Sequence, residues 1–413
     1  MSTQSTRDLL QAFGRIGLLS FGGPAAQIAI MHEELVERRK WLSEEQFLTA
    51  LSLCMLLPGP EAMQLATYAG WRLRGVWGGL LAGLLFVVPG ALVIFALAFA
   101  YISFGDVPLV QAAFVGIKAT VIIVVLQALL RLGHKALENK AAWVLAALAF
   151  LALFVFGLPF PLIIALAAFY GFWAIGHLKA PQKPIAVPFT QTLRTIAIWS
   201  SLWAIPMITV WALKADFLLK LGLFFSKLAV VTFGGAYAVL AYMSQTVVQD
   251  HGWITSGQMI DALGLAETTP GPLILVTQFV AVLAGASAGG IALAIAAGLL
   301  ALWVTFVPCF LWIFAAGPYI ETLTSRPRLA AALKAITAAV VGVILNLSIW
   351  FALHVLFDQV NTLGAMPLPD VSSINWVAAL LTTIAAYLML RLKIGLLPVM
   401  TAMAIAGMGL SFL

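Results

Sequence analysis

Proline and glycine motifs that recur in the two halves of the sequence are its features best suited to binding a ligand. The first half contains Ser20-Phe-Gly-Gly-Pro24 and Leu57-Pro-Gly-Pro60, and the second contains Thr232-Phe-Gly-Gly235 and Thr269-Pro-Gly-Pro272. An interior proline costs a helix about 3 kcal/mol and a glycine about 1, so these motifs predict broken helices. A half-helix that starts at such a break presents unpaired N–H groups and partial positive charge, which together favour an anion. Ordinary kinks between packed helices are the alternative.

Basic side chains within apolar segments indicate the same sign of ligand. Arg15 and Lys227 each precede a shared phenylalanine by six residues, and Lys118 corresponds to Lys334. A charge inside a membrane is expensive and marks a functional site by default, although snorkelling to the lipid headgroups is an alternative for each. The predicted anion-binding residues are Arg15, Ser20, Gly22, Gly23, Gly59, Gln64, Lys118, Lys227, Thr232, Gly234, Gly235, Gly271 and Lys334. For Gln64, as for Gln27 and Gln278, an interhelical hydrogen bond is the alternative role.

Two acids next to the breaks are candidates for proton coupling. Glu61 directly follows Pro60, and Glu267 precedes Pro270 by three residues. A carboxylate at a helix N-terminus is stabilised by the helix dipole, so Glu61 also has a purely structural alternative. Asp261 is predicted to lie further out, near a membrane interface.

The sequence contains no motif that predicts an enzyme, a metal site or a cofactor. It has no phosphate-binding G-x-x-x-x-G-K-[ST] sequence and no H-E-x-x-H pair. Cys54 and Cys309 are isolated in apolar segments and are predicted to pack as small apolar residues. A membrane-embedded enzyme is the rival class, but it would need paired acids or a histidine cluster, and the sequence offers neither.

The elements that carry these residues are predicted to be membrane helices. Of the 413 residues, 63% are hydrophobic and 9% are charged, whereas soluble domains carry about 25% charged residues. Apolar runs of about 20 residues suffice to cross a bilayer as helices, and they show no barrel-like alternation. These runs cover residues 78–102, 112–131, 141–157, 160–176, 195–213, 288–316, 329–353, 374–390 and 394–413. The formal charge of +6 lies in short clusters between apolar runs, as topology signals do, so it does not indicate nucleic-acid binding.

The chain consists of two copies of one unit. An offset of 212 residues maps Arg15–Gly23 onto Lys227–Gly235, Trp41 onto Trp253, and the first Pro-Gly-Pro onto the second. Basic loops in one copy correspond in sequence to non-basic loops in the other: Arg38-Arg39-Lys40 corresponds to Asp250-His251-Gly252. Because cytoplasmic loops collect Lys and Arg, the copies are predicted to have opposite orientation in the membrane.

The predicted division follows from this inversion. Residues 1–177 form the first repeat, 178–218 a cytoplasmic linker with one connecting transmembrane helix, and 219–413 the second repeat. An odd number of crossings in the connector is needed to invert the second copy. The fold class is therefore an all-α polytopic membrane protein with two inverted repeats and broken or re-entrant helices. Whether residues 9–31 and 46–74 are re-entrant hairpins or kinked spans stays open.

The motifs, in this order, resemble those of the chromate ion transporter family in its long form with two homologous halves. The matching residues are Ser20–Pro24, Trp41-Leu-Ser43, Leu57–Pro60, Gln64–Gly70 and the second-half motifs. Glu61 departs from the small or amide residue expected there. The resemblance implies a multi-pass carrier of the bacterial inner membrane that expels chromate and confers chromate resistance. Sulfate, also a tetrahedral dianion, is an alternative substrate that the sequence does not separate from chromate.

Physical considerations agree with export without a nucleotide motor. Moving each negative charge out of a cell that is negative inside releases about 2.3 kcal/mol of free energy per 100 mV of membrane potential. Exchange against protons or another anion, as in an antiporter, stays open. So does the oligomeric state, with a homodimer among the options.

Overall fold

The computed structural model describes residues 4–21, 23–174, 189–233, 236–320, 323 and 326–412. The predicted linker residues 178–188 and the site candidates Gly22, Gly234 and Gly235 therefore lie outside the described residues. The first half contains helices α1 (Thr6–Leu19), α2 (Gly23–His32), α3 (Glu44–Leu56), α4 (Glu61–Phe104), α5 (Pro108–Ala136), α6 (Lys140–Phe154) and α7 (Phe160–Ala174). The rest contains α8 (Phe189–Ala212), α9 (Asp216–Val231), α10 (Ala236–Ser244), α11 (Ser256–Thr268), α12 (Val276–Ala316), α13 (Pro327–Leu356), α14 (Trp376–Ala386) and α15 (Leu396–Leu410). One short antiparallel hairpin, Val360–Leu363 with Met366–Pro369, separates α13 from α14.

Within the described residues, five helical segments are long and apolar enough to cross a membrane. They are Glu61–Phe104, Pro108–Ala136, Thr190–Ala212, Leu273–Tyr319 and Pro327–Leu356. Shorter apolar helices accompany them at Lys140–Phe154, Phe160–Ala174, Trp376–Arg391 and Leu396–Leu410. The prediction of an all-α polytopic membrane protein is confirmed.

The longest helix, α4, is a hairpin of two packed arms. Its backbone leaves helical geometry at Arg74 (φ −145°) and Gly75 (φ +62°). A Cβ on Gly70 would lie 2.2 Å from the carbonyl oxygen of Gly78, and one on Gly83 would lie 2.6 Å from the hydroxyl of Thr67. Residues 8 and 16 apart would be about 12 and 24 Å apart along a straight helix, so the chain folds back at Gly75. The turn lies beside Arg72 and Arg74, and basic residues of this kind mark a loop between membrane segments.

The corresponding helix α12 folds back in the same way. Its turn is at Gly289 (φ −167°) and Gly290 (φ +80°). A Cβ on Gly285 would lie 2.7 Å from the carbonyl oxygen of Leu293. Each long helix therefore consists of a short arm that begins near a Pro-Gly-Pro motif and a longer arm that returns.

Helix bounds in the two halves follow the 212-residue offset of the sequence motifs. A π-helical turn spans Glu33–Arg38 in the first half and Gln245–Asp250 in the second. Both bounds of α11 lie 212 residues after those of α3. The offset between α7 and α15 is 236, because the second half also contains the β-hairpin. The elements thus recur in order, while the inverted orientation stays a prediction.

The chain packs as two compact units, and each unit takes segments from both halves. The first comprises Met1–Ala98, Phe172–Ala236 and Thr269–Ala331; the second comprises Phe99–Gly171, Tyr237–Thr268 and Ala332–Leu413. In the first unit α1 lies against the long arm of α4, since a Cβ on Gly17 would lie 2.0 Å from the carbonyl oxygen of Leu85. In the second, α5 lies equally close to α15. The division at 177 and 218 rests on the sequence repeat and stays a prediction.

Opposite orientation of the repeats predicts opposite labelling of two equivalent positions. Glu37 and Gln249 are both exposed in the equivalent π-helical turns. With the buried Cys54 and Cys309 replaced, we expect Gln249→Cys to react with an impermeant maleimide in intact cells. Glu37→Cys should react only in everted vesicles. Labelling of both positions from one side would contradict the inversion.

Candidate functional site

The Pro-Gly-Pro break of the first half joins α3 to α4 in the first unit. Helix α3 ends at Leu56, and α4 begins at Glu61, directly after Pro60. Gly59 has φ +119°, a conformation that favours glycine. Its N–H donates to the carbonyl oxygen of Thr232 over 2.9 Å, so the break is fixed to the end of α9 in the other half.

The second break makes the reciprocal contact. Gly271 has φ +88°, and its N–H donates to the carbonyl oxygen of Ser20 over 2.9 Å. Gly59 and Gly271 are 212 residues apart, as are Ser20 and Thr232. Each Pro-Gly-Pro break is thus hydrogen-bonded to the equivalent helix end of the other half, and we call these two reciprocal contacts the crossed breaks. The predicted breaks are real; unlike Pro60, Pro272 leads first into a 3₁₀ turn, Leu273–Leu275.

The hydroxyls at the crossed breaks are also engaged. Ser20 donates its hydroxyl proton to the carbonyl oxygen of Ile16 (2.5 Å), and Thr232 donates to that of Leu228 (2.6 Å). Both side chains are buried. The expectation that these hydroxyls, and the amides of Gly59 and Gly271, are open donors for an anion is corrected here, because backbone carbonyls occupy all four. That these four residues contribute other atoms to an anion site stays a prediction.

Three glutamines on the helices that follow the breaks bring unused polar atoms. The Nε2 atoms of Gln27, Gln64 and Gln278 donate to backbone oxygens of Gly271 (2.7 Å), Pro58 (2.6 Å) and Ala91 (3.0 Å) respectively. Gln27 and Gln278 therefore make the interhelical bonds that were the alternative role, whereas Gln64 supports its own break. All three are buried, and their Oε1 atoms have no hydrogen-bond partner in the described part of the chain. Each amide also keeps a second N–H, so Gln64 stays a candidate ligand.

At the start of α2, Gly23 has φ +81° and no neighbour within 4 Å of a Cβ built on it. Pro24 is the second residue of the helix, as expected of a proline that starts a half-helix. Gly23 thus has open space beside its backbone, in contrast to Gly59.

Arg15 lies in a cluster of cations around one buried acid. Glu34 pairs with Arg39 (2.7 Å), Arg38 (2.9 Å) and, more distantly, Arg15 (3.9 Å). Burial alone would raise the pKa of the Glu34 carboxyl, but the hydrogen bond from Arg39 and the charges of the three arginines outweigh it and hold that pKa below its usual value. The Arg15 side chain is 48% exposed, and Lys227 is exposed as well. Both stay predicted anion ligands on exposed helix faces.

Lys118 and Lys334 occupy different surroundings although their sequence positions correspond. The Lys118 ammonium lies 3.4 Å from Asp261, and its side chain is 25% exposed. Lys334 is 79% exposed and lies 3.6 Å from Glu138, which is 65% exposed. Lys334 therefore forms a surface ion pair, and its predicted role as an anion ligand has less structural support than that of Lys118.

The acids show that sequence reasoning missed one residue. Glu61 lies in the first turn of α4, as the dipole alternative requires. Glu267 is buried and accepts a hydrogen bond from the hydroxyl of Tyr237 (2.5 Å). Asp261, which was not among the predicted coupling residues, is only 3% exposed. Its place on the same helix as Glu267, in an otherwise apolar stretch, was the available signal.

Known proteins resemble this chain over most of its length. Residues 7–172 and 219–409 match the family model described as "Chromate transporter". A chromate transport protein of Pseudomonas aeruginosa is 33% identical over 342 residues, which cover 81% of this chain and 78% of the relative. One from Cupriavidus metallidurans is 29% identical over 88% of this chain and 87% of its own length. A probable chromate transport protein of Synechococcus elongatus is 30% identical over 82% and 83%.

No solved structure matches the chain. The duplicated motifs, the helical architecture and the matches over both halves lead to one assignment. The chain belongs to the chromate transporter family.

Proposed function

We propose that this protein is a secondary carrier that exports chromate across the bacterial inner membrane and so confers resistance to it. The observation that carries the proposal is the match of both halves to the chromate transporter family, with relatives named chromate transport proteins over most of the chain. The crossed breaks support it, because inverted-repeat carriers bind substrate at interrupted helices of the two repeats, and here each break contacts a helix end of the other repeat.

The direction of transport follows from the charge of the substrate. Moving a dianion out of a cell that is negative inside releases about 2.3 kcal/mol of free energy per charge per 100 mV of membrane potential. The membrane potential alone therefore drives export. A sulfate carrier of the same architecture is the second candidate, because chromate and sulfate are tetrahedral dianions of similar size.

Everted membrane vesicles test both candidates, because their lumen corresponds to the outside of the cell. We expect chromate uptake into the lumen to rise when a lumen-positive potential is imposed, and sulfate to compete weakly. Uptake of sulfate with none of chromate would establish the second candidate instead. No potential-dependent uptake of either anion would contradict a carrier role for small dianions.

The paired cations predict a second result in the same assay. Arg15→Ala and Lys227→Ala should each abolish chromate uptake at unchanged membrane abundance, because each removes a charge that faces the dianion at equivalent positions. Arg15→Lys should keep part of the activity, since it preserves the charge. Arg7→Ala, on the exposed first turn of the same helix α1, is the matched control. Normal uptake by both alanine variants would make these residues lipid-headgroup anchors.

A further inference from the structure

Asp261 in α11 is a buried acid whose two oxygens have different surroundings. Its Oδ2 atom accepts a hydrogen bond from the hydroxyl of Tyr101 (2.8 Å) and lies 3.4 Å from the ammonium of Lys118. Its Oδ1 atom is buried and has no hydrogen-bond partner among the described residues. A buried, charged oxygen without a partner is unfavourable, and a proton placed on Oδ1 would neutralise it.

Lys118 depends on Asp261 for its charge compensation. Asp261 is its one ion-pair partner in the described part of the chain. Its ammonium also lies 3.4 Å from the position of a Cβ on Gly257, in the first turn of α11. The positive end of the helix dipole disfavours a cation and favours an anion at that place. The Lys118 side chain is one quarter exposed while Asp261 is almost fully buried, so an arriving anion meets the lysine first.

We propose that Asp261 is a protonation site that controls Lys118, so that binding of the anion at Lys118 takes up one proton at Asp261. This inference rests on the proposed function and adds its coupling site. While Asp261 is ionised, its carboxylate holds the lysine and repels a dianion. Protonation of Oδ1 removes that charge and leaves the ammonium to compensate the substrate instead. The exchange balances: one proton from the solvent enters with each anion bound and forms the O–H bond on Oδ1, and no other covalent bond changes.

The groups that face Asp261 set how readily it takes up the proton. Helix α5 contributes Lys118, and the end of α4 contributes Tyr101. Both favour the charged carboxylate, whereas burial favours the neutral form. Asp106, between α4 and α5, acts on Tyr101 electrostatically. Glu267 lies six residues further along α11 and is bonded to Tyr237 instead.

The neutral isostere Asp261→Asn tests this coupling. Thermodynamic linkage requires the half-saturating chromate concentration of the wild type to rise as pH rises above the pKa of Asp261, by at most about tenfold per pH unit. Asp261→Asn mimics the protonated acid, so its half-saturating chromate concentration should lack the part of this rise that comes from titration of Asp261. Chromate itself titrates in the range tested, roughly pH 6 to 9. The quantity to compare at each pH is therefore the half-saturating chromate concentration of the wild type divided by that of Asp261→Asn. We expect the ratio to increase with pH.

Further variants separate this role from a structural one. Tyr101→Phe removes a donor that stabilises the carboxylate, so protonation becomes easier and the rise should shift to higher pH. Lys118→Ala should lose chromate uptake, whereas Lys135→Ala, an exposed lysine on the same helix, should not. If Asp261→Asn proves unstable, the shift in Tyr101→Phe decides alone.

The outcomes that overturn the inference are distinct from failure of the proposed function. A ratio that stays constant with pH, or a profile unchanged in Tyr101→Phe, would refute coupling at Asp261. Loss of the pH dependence in Glu267→Gln but not in Asp261→Asn would assign coupling to the other buried acid. Absence of chromate uptake by the wild type at every pH would refute the proposed function itself.

Discussion

Gly59→Ala and Gly271→Ala are expected to lower thermal stability and abolish transport together. Both glycines have positive φ, +119° and +88°, and a side chain in that region costs about 1–2 kcal/mol. A Cβ on Gly59 would also lie 2.8 Å from Nε2 of Gln64 and 3.0 Å from Sγ of Cys309. Since that Nε2 atom holds the Pro58 carbonyl, Gly59→Ala should be the more damaging change.

The control for this prediction is Gly14→Ala. Gly14 lies inside α1, and no atom lies within 4 Å of a Cβ built there, so alanine should stabilise that helix by up to about 1 kcal/mol. Melting temperatures of the purified variants and vesicle uptake are the measurements. Wild-type stability of Gly59→Ala would show that its backbone is not held as described. A plain kink would tolerate alanine, but positive φ at both breaks excludes that interpretation.

Local sequence was sufficient to predict the breaks but not their partners. Proline and glycine act on the backbone where they stand, so Pro58-Gly59-Pro60 reveals an interruption without any knowledge of the fold. The carbonyl that receives the Gly59 N–H belongs to Thr232, which is brought near only by tertiary packing. Sequence reasoning therefore assigned these N–H groups to a ligand when the other half of the protein already occupies them.

Symmetry of sequence also does not determine the surroundings of the cations. Lys118 and Lys334 correspond in the repeat, but charge compensation depends on neighbours that the repeat does not copy. Asp261 compensates Lys118 from a buried position, whereas Glu138 meets Lys334 at the surface. Neither acid is repeated at the equivalent position of the other copy, so a comparison of the two copies does not reveal these ion pairs.

Hydropathy revealed one hairpin turn and not the other. The turn at Gly75 lies beside Arg72 and Arg74, and basic residues mark a loop. The equivalent turn at Gly289-Gly290 lies in a continuous apolar run, so only the adjacent glycines mark it. The structure shows that both long helices fold back.

Gly407→Ala should cause a large loss of stability, because α15 and α5 approach at backbone distance there. A Cβ on Gly407 would lie 2.3 Å from the carbonyl oxygen of Ala112, and one on Gly116 would lie 1.8 Å from that of Met403. No side chain can move aside to relieve a clash with a backbone carbonyl, so the helices must separate. Overpacking of this kind costs about 1–3 kcal/mol or more.

Gly409→Ala is the matched control, two residues along the same helix, where no atom lies within 4 Å of the added Cβ. We expect its melting temperature to match the wild type or exceed it, while that of Gly407→Ala falls by several degrees. Equal melting temperatures would show that the helices do not pack this closely. Because α5 also carries Lys118, separation of α5 from α15 should displace the ammonium from Asp261. Transport by Gly407→Ala should therefore be slower than that of the wild type, and the remaining transport should lack the pH dependence.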